Sequence, residues 1–155
     1  MICKTPTTYF LVSGASEGYT SLNAFDAALL NAGIGNTNLI KITSIIPPHC
    51  KEIKPIGLPQ GAIIPTAYAS ISSDIPGEII SAAVAVALPK DDDQPGLIME
   101  YSARGHSKEI ELIAKNMASE GMKKRQQEMK EIKSISAEYQ VKKIGAAFAG
   151  VILWE

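Results

Sequence analysis

Segments with strand-like composition run through most of this chain and far outnumber helical ones, which limits the folds that it can adopt. They are rich in Ile, Val, Tyr and Thr, and clusters of Gly, Pro or Asp separate them. The predicted strands are residues 9–13, 38–43, 62–72, 78–88, 96–102, 133–141 and 144–154. Because strands and helices do not alternate regularly, we predict an α+β protein, in the form of a layered αββα-type sandwich of largely antiparallel sheets with flanking helices.

Two segments carry a helical pattern. The first covers about residues 22–31, with Ser21 as the N-cap and Gly33 as the C-terminal stop. The second begins near Ser107 and is predicted to continue to about Lys130. Its predicted apolar face is formed by Ile110, Ile113, Ala114 and Met117.

Two further patterns concern the sheets. Small residues at 81–87 predict that another layer packs closely against that strand. Lys142-Lys143, between the last two predicted strands, suggests a hairpin, although neither residue favours the turns typical of two-residue loops.

Composition and charge restrict the partners that this chain can have. Its 155 residues fit a single domain, and the hydrophobic fraction of 46% suits an ordinary soluble core. A net charge of −1 gives no electrostatic basis for binding nucleic acid or an anionic membrane, and no apolar run is long enough to span a bilayer. No secretion signal is visible, and Cys3 and Cys50 are predicted to be reduced thiols rather than a disulfide or metal site. We therefore expect a cytoplasmic protein.

The segment at residues 41–48 is the first candidate for chemistry. An apolar strand-like run ends in Thr43-Ser44, and Pro47 and Pro48 then prevent further ladder pairing because proline lacks an N–H donor. A peptide bond can be held in an unusual geometry where a strand breaks off in this way. A serine hydroxyl held against its own preceding carbonyl can attack it, so Ser44 is a candidate nucleophile. Taken alone, a Thr-Ser pair before a turn is common, because both hydroxyls bond locally to the backbone.

Two acidic residues occupy unusual positions. Asp26 lies four residues from Leu22 and from Leu30 on the first predicted helix, which places its carboxylate on an apolar flank. It is either an ordinary helix acid or an anchor for a cationic ligand group. Glu100 ends an apolar strand, and if it is buried its pKa should rise, which would make it a usable proton donor near neutral pH.

Asn38 begins the predicted strand that leads to Ser44. On a regular strand the two side chains would face the same way and lie roughly 20 Å apart within one chain. They could then share a site only through a sharp bend or a neighbouring subunit. The alternative is that Asn38 caps the turn before the strand.

Motifs spread along nearly the whole chain form a specific combination. They are LNAFDAALLNAGIGN at 22–36, NLI at 38–40, TSIIPP at 43–48, SDIPGE at 73–78, GLIMEY at 96–101 and GAAFA at 145–149, with Gly61, Pro65 and Ala67-Tyr68 between them. Together they resemble the pyruvoyl-dependent arginine decarboxylases of archaea and some bacteria. One departure is Thr43, because the cleavage pair of the family is usually two serines. The attacking hydroxyl belongs to the second residue, so the change is compatible with self-processing.

The resemblance implies an enzyme of polyamine biosynthesis that converts L-arginine to agmatine and CO₂. It implies self-cleavage between Thr43 and Ser44 into a β chain (1–43) and an α chain (44–155). Residue 44 would become a covalent pyruvoyl group that forms a Schiff base with the substrate, in place of pyridoxal phosphate and without a metal.

The resemblance also implies a role for individual residues. Glu100 would donate the proton to the former α-carbon, and Asn38 would support processing and orient groups near the pyruvoyl. Asp26 would hold the substrate guanidinium, with Leu29 and Gly35 also at the substrate site. The expected assembly is a homotrimer of cleaved αβ pairs with active sites between subunits.

Two other functions stay open at this point. One is a pyruvoyl-dependent decarboxylase of another cationic amino acid, such as histidine or ornithine, since Asp26 favours a cationic side chain without fixing which one. The other is a processing-dead relative that serves as an oligomeric binding or structural protein.

Overall fold

Residues 4–155, which the computed structural model describes, contain nine strands and two helices. The strands are β1 (Thr8–Glu17), β2 (Asn38–Lys41), β3 (Ile45–Ile46), β4 (Lys51–Glu52), β5 (Ile63–Ser73), β6 (Ile79–Pro89), β7 (Gly96–Arg104), β8 (Met129–Gln140) and β9 (Gly145–Trp154). The helices are α1 (Ser21–Asn31) and α2 (Ser107–Lys124), and neither helix of the described region is long and apolar enough to cross a bilayer. The prediction for Cys3 falls outside the described residues, whereas Cys50 is a partly buried free thiol.

The strands form two sheets that stack face to face. A five-stranded sheet has the order β2-β5-β9-β1-β4, and a four-stranded sheet has the order β3-β7-β6-β8. Most neighbouring strands are antiparallel, while the β1–β4 and β2–β5 pairs are parallel. One helix covers each outer face, α1 on the five-stranded sheet and α2 on the four-stranded sheet. The predicted αββα sandwich is therefore confirmed.

Alternate side chains of β6 face two different cores. Those that face the core between the sheets include Ala82, Val84 and Val86. Those that face α2 are Ala83, Ala85 and Ala87. Because the second set consists of alanines, α2 lies close to the sheet, and a Cβ atom added at Gly121 would come 2.2 Å from Leu97 Cδ2. The close layer predicted from the small residues is confirmed, and it is α2.

Local capping sets the ends of α1. Thr20, rather than the predicted Ser21, is the N-cap, and its Oγ1 accepts a hydrogen bond from the Asn23 N–H at 3.2 Å. Gly33 follows the C-cap with a φ of 85° and terminates the helix as predicted. These caps fix the length of the helix that carries Asp26.

α2 is shorter than the sequence pattern indicates, because it ends at Lys124 and not near Lys130. Gln126 adopts a φ of 56°, and the Gln127 N–H donates back to the Met122 carbonyl at 3.0 Å, which closes the helix without a glycine. The buried face of the helix consists of Ile110, Ala114, Ala118 and Met122. The assignment of Ile113 to that face is wrong, since its side chain is exposed.

The hairpin predicted at Lys142-Lys143 does not form, because β8 and β9 belong to different sheets. The carboxylate of Glu17, at the end of β1, accepts hydrogen bonds from the N–H groups of Lys142, Lys143 and Ile144. Desolvation acts to raise the pKa of Glu17, but these bonds and the Tyr139 hydroxyl outweigh it and lower the pKa to about 2. Glu17 therefore holds the segment that crosses between the sheets.

Candidate active site

The chain passes from one sheet to the other across the Thr43–Ser44 peptide. The Ile42 N–H makes the last bond to the five-stranded sheet, to the Thr66 carbonyl at 3.0 Å. The Ser44 carbonyl makes the first bond to the four-stranded sheet, accepting from the Ile98 N–H at 2.7 Å. The peptide between these bonds belongs to no strand, and Ser44 forms a bend. β2 thus stops two residues before the predicted strand end at Thr43.

The sequence after Ser44 explains why the crossing is held in place. β3 consists of Ile45 and Ile46 only, and it ends before Pro47, as the two prolines predict. Ile46 is buried in the core between the sheets. The Cys50 N–H then donates to the Pro47 carbonyl in a tight turn. The peptide before Ser44 is therefore fixed on both sides, by the bond to β5 and by the buried Ile46 side chain of β3.

Glu100 is brought to the same sheet edge as Ser44. It lies on β7 two residues after Ile98, which bonds to Ser44, and side chains two apart on a strand share a face. Its side chain is 25% exposed, and Oε1 lies 3.5 Å from Lys41 Nζ. Oε2 is buried and has no hydrogen-bond partner within residues 4–155. Burial raises the pKa of Glu100 and the charge of Lys41 only partly offsets this, which is the direction expected for a carboxyl removed from water.

Lys41 is a residue of this site that sequence reasoning missed. Besides its ion pair with Glu100, its ammonium lies 4.6 Å from the centre of the Tyr68 ring. Lys41 ends an edge strand of one sheet while Glu100 belongs to the other sheet, so no strand pattern connects them. The one signal in the sequence is a lysine inside an otherwise apolar run, three residues before Ser44.

No hydrogen bond or ion pair within residues 4–155 connects the Asp26 side chain to the sheet edge at Ser44 and Glu100. Asp26 lies on the exposed side of α1, and within residues 4–155 its side chain forms no ion pair or hydrogen bond. Leu22 and Leu30, four residues to either side, are 74% and 53% exposed. The apolar flank predicted around Asp26 exists, but it faces solvent rather than the core.

The other predicted site residues make contacts of their own. Asn38 Nδ2 donates to the Gly61 carbonyl at 3.1 Å and joins the first residue of β2 to the turn before β5. Leu29 is buried between α1 and the five-stranded sheet. A Cβ atom at Gly35 would meet a leucine side chain of α1 at 2.5 Å, so the glycine permits close packing. Because β2 ends before the bend, Asn38 and Ser44 do not share one regular strand, and no hydrogen bond joins them within residues 4–155.

A surface cavity of about 370 Å³ opens beside the crossing. Its wall includes Ile40, Ile42, Thr43, Ser44, Ile45 and Ile63. Ser44 is therefore next to an apolar surface that can exclude water from a bound molecule. Within residues 4–155, no group of three or more His, Cys, Asp or Glu side chains is placed to hold a metal ion.

The fold and the site define an α+β sandwich protein with a serine at the crossing between its two sheets and a partly buried carboxyl on the neighbouring strand β7. A model of the family described as pyruvoyl-dependent arginine decarboxylase matches residues 8–153. A protein of that name from Methanocaldococcus jannaschii is 54% identical over 151 residues, which cover 97% of this chain and 92% of the relative. The protein of the same name from Methanococcus aeolicus is 50% identical and covers 97% of this chain and 92% of the relative. The one from Pyrococcus abyssi is 46% identical and covers 99% of each chain. The chain therefore belongs to the pyruvoyl-dependent arginine decarboxylase family, which confirms the resemblance found in the sequence.

Proposed function

We propose that this chain cuts itself between Thr43 and Ser44 and then decarboxylates L-arginine to agmatine and CO₂, in line with the names of its relatives. The observation that carries the proposal is the peptide before Ser44, which lies outside both sheets, is held at each end, and is close in the fold to Glu100.

Self-cleavage begins at the hydroxyl of Ser44. Its Oγ attacks the Thr43 carbonyl and the nitrogen of residue 44 leaves that carbon, so the peptide becomes an ester. Loss of the Cα proton of residue 44 then breaks the Cβ–Oγ bond, which frees the carboxylate of Thr43 and leaves an unsaturated residue 44. Addition of water and loss of ammonia leave a pyruvoyl group at the start of the second chain. The products are a β chain of residues 1–43 and an α chain of residues 44–155.

The residues around the crossing fit such a group. The peptide before Ser44 is in neither sheet, the neighbouring wall is apolar, and Glu100 Oε2 is buried without a partner within residues 4–155. A pyruvoyl group made there supplies an electron sink for the loss of CO₂, the task that pyridoxal phosphate has in other decarboxylases. Because the group is made from the chain itself, the proposal includes neither pyridoxal phosphate nor a metal ion.

Glu100 is the proposed proton donor. After CO₂ leaves, a proton must reach the former α-carbon of the substrate before agmatine can form. Burial raises the pKa of Glu100, so its carboxyl keeps a proton at higher pH than an exposed glutamate does. Asn38 is proposed to support processing and orient groups near residue 44.

Asp26 is proposed to bind the substrate guanidinium in a charge-assisted pair, with Leu29 and Gly35 beside it. Because no bond joins Asp26 to the Ser44 region within the chain, we propose a homotrimer of cleaved αβ pairs in which neighbouring subunits share each active site. The exposed leucines next to Asp26 and the exposed isoleucines at the cavity next to Ser44 are apolar surface that association would bury, which supports this assembly. We also propose a cytoplasmic location, where a free thiol such as Cys50 stays reduced.

Intact-mass analysis of the purified protein tests self-cleavage. The wild-type chain should give two masses, for residues 1–43 and 44–155, and the larger chain should lack a free terminal amine. Ser44→Ala should give one mass with an unchanged circular dichroism spectrum. Thr43→Ser, the matched control, keeps the attacking hydroxyl and should still cleave. A folded wild-type protein that stays in one piece after long incubation would instead support a processing-dead relative.

Turnover of competing amino acids tests the substrate. Arginine should have a higher kcat/KM than ornithine or histidine. A higher value for either competitor would replace the arginine assignment with another cationic amino acid.

A further inference from the structure

We propose that Lys41 is a positioning residue for Glu100: its ammonium holds Oε1 and leaves Oε2 as the oxygen that carries and delivers the proton. This role rests on the proposed function of Glu100 as the proton donor. It requires no contact between Lys41 and the substrate.

The two oxygens of Glu100 have different surroundings. Oε1 lies 3.5 Å from Lys41 Nζ, whereas Oε2 is buried and meets no hydrogen-bonding group within residues 4–155. A proton on Oε1 would face a cation, while a proton on Oε2 avoids that repulsion. The cation therefore selects Oε2 as the protonated oxygen. No group of the described chain then competes for that proton.

The Tyr68 ring keeps the Lys41 ammonium in position. Nζ lies 4.6 Å from the ring centre. The ring in turn packs against Phe148 and Phe25, with centroid separations of 5.4 Å and 6.2 Å, in the core beneath α1. Since the Lys41 side chain is 52% exposed, an ion pair without this support would be weak and mobile.

The elements packed around Glu100 supply few charged groups. β6 places Val84 opposite it, β3 supplies only isoleucines, and α2 packs on the other face of β7. β5 supplies the Tyr68 ring. Within residues 4–155, Lys41 is the charged group that acts on this carboxyl, and it lowers the pKa of Glu100 against the larger effect of burial.

A carbon-13 NMR titration of the Glu100 carboxyl tests this role without measuring activity. The signal is assigned by its absence in Glu100→Gln. In Lys41→Met the opposing charge is gone, so the inflection should move to higher pH, whereas Lys41→Arg keeps the cation and should stay near wild type. Lys54→Met, at an exposed lysine that forms no ion pair within residues 4–155, is the control and should leave the inflection in place. An unchanged inflection in Lys41→Met would overturn the proposal.

The pH dependence of kcat provides the second measurement. In Lys41→Met its alkaline limb should move to higher pH, and kcat at the plateau should fall about 10- to 100-fold, by analogy with groups that orient metal ligands. Tyr68→Leu should reproduce part of both effects, and Tyr68→Phe, which keeps the ring, should not.

The possible results separate this role from the proposed function. If Lys41→Met raises KM but leaves both the NMR inflection and the alkaline limb of kcat unchanged, then Lys41 binds substrate. That result would overturn the positioning role. If the NMR inflection moves while the rate profile does not, Lys41 does control Glu100, and the proposal that Glu100 donates the proton fails.

Discussion

At the scale of single residues, Glu100 is subject to two opposing effects. Burial favours the neutral carboxyl because desolvation penalises charge, and Lys41 favours the carboxylate. Burial is the larger effect, so the pKa of Glu100 lies above its usual value. A general acid must release and regain a proton in each turnover, and it does so best when its pKa is near the working pH.

Glu100→Gln should keep self-cleavage but lower kcat about 10²- to 10⁴-fold, the usual contribution of general acid–base catalysis. Glutamine preserves the shape of the side chain but has no acidic proton. The loss should fall on kcat more than on KM, because binding of the ground state changes little. Release of CO₂ and agmatine from labelled arginine in a single turnover measures it.

Glu120→Gln, at an exposed glutamate of α2, is the control for this substitution and should leave both rates unchanged. Wild-type rates of CO₂ release and agmatine formation in Glu100→Gln would remove Glu100 from the mechanism.

Single residues also show how much of the site a sequence can reveal. Ser44 and Glu100 could be found because each stands at the end of an apolar run, where a polar side chain is conspicuous. Lys41 could not, because its contact with Glu100 depends on how the edges of two different sheets meet. The solvent exposure of Asp26 could not be predicted either, because its spacing from two leucines does not say which side of the helix is covered.

At the scale of elements, residue composition is enough to locate the longer strands, and each of the predicted strands is present. β3 and β4 contain two residues each, too few for any periodicity. The end of α2 was missed because a glutamine, Gln126, takes the left-handed conformation for which glycine is the usual signal. The hairpin was predicted because strands adjacent in sequence usually pair, and the chain instead changes sheets after β8.

Glu17→Gln should destabilise the crossing after β8 most strongly near neutral pH. The folded pKa of Glu17 is about 2, below its ordinary value of 4.5. The carboxylate therefore stabilises the fold above that ordinary value, and the stabilisation is lost as the pH falls toward the folded pKa. The difference in Tm between wild type and Glu17→Gln should thus shrink in acid, as calorimetry from about pH 7 to about pH 3 can measure.

Asp74→Asn is the control for Glu17→Gln, because Asp74 is exposed and accepts no backbone N–H within residues 4–155. It should show no comparable dependence on pH. A Tm difference for Glu17→Gln that stays constant across the titration would contradict the role assigned to its carboxylate.

At the scale of the whole molecule, exposed apolar residues lie beside both parts of the proposed site. Leu22 and Leu30 flank Asp26, and Ile40 and Ile45 lie at the cavity next to Ser44. Scattered exposed apolar residues need no explanation, but these coincide with the residues assigned to substrate binding and chemistry. Association that buries both groups would complete the site.

A mixed assembly of Asp26→Asn and Ser44→Ala chains should be more active than either variant alone. In a ring of subunits with shared sites, about a quarter of the sites in an equal mixture would combine an intact Asp26 with an intact Ser44. Arginine turnover after co-expression measures this recovery. Pairing Asp26→Asn with the Asp26→Asn, Ser44→Ala double variant is the control, because no site can then be complete. Activity no higher than that control would place both residues of each site in one subunit.

The position of β1 gives maturation a lasting consequence. β1 lies inside the five-stranded sheet, between β9 and β4, and pairs with β9 from Thr8 opposite Trp154 to Glu17 opposite Gly145. The proposed cut would leave β1 on the short chain and β9 on the long one. The sheet would first assemble within one chain, and after the cut only non-covalent contacts would hold its two parts together. A mature molecule that unfolds would have to reassemble through an encounter between separate fragments, which becomes slower on dilution. Its working lifetime would then depend on how rarely it unfolds, and no longer on how readily it refolds.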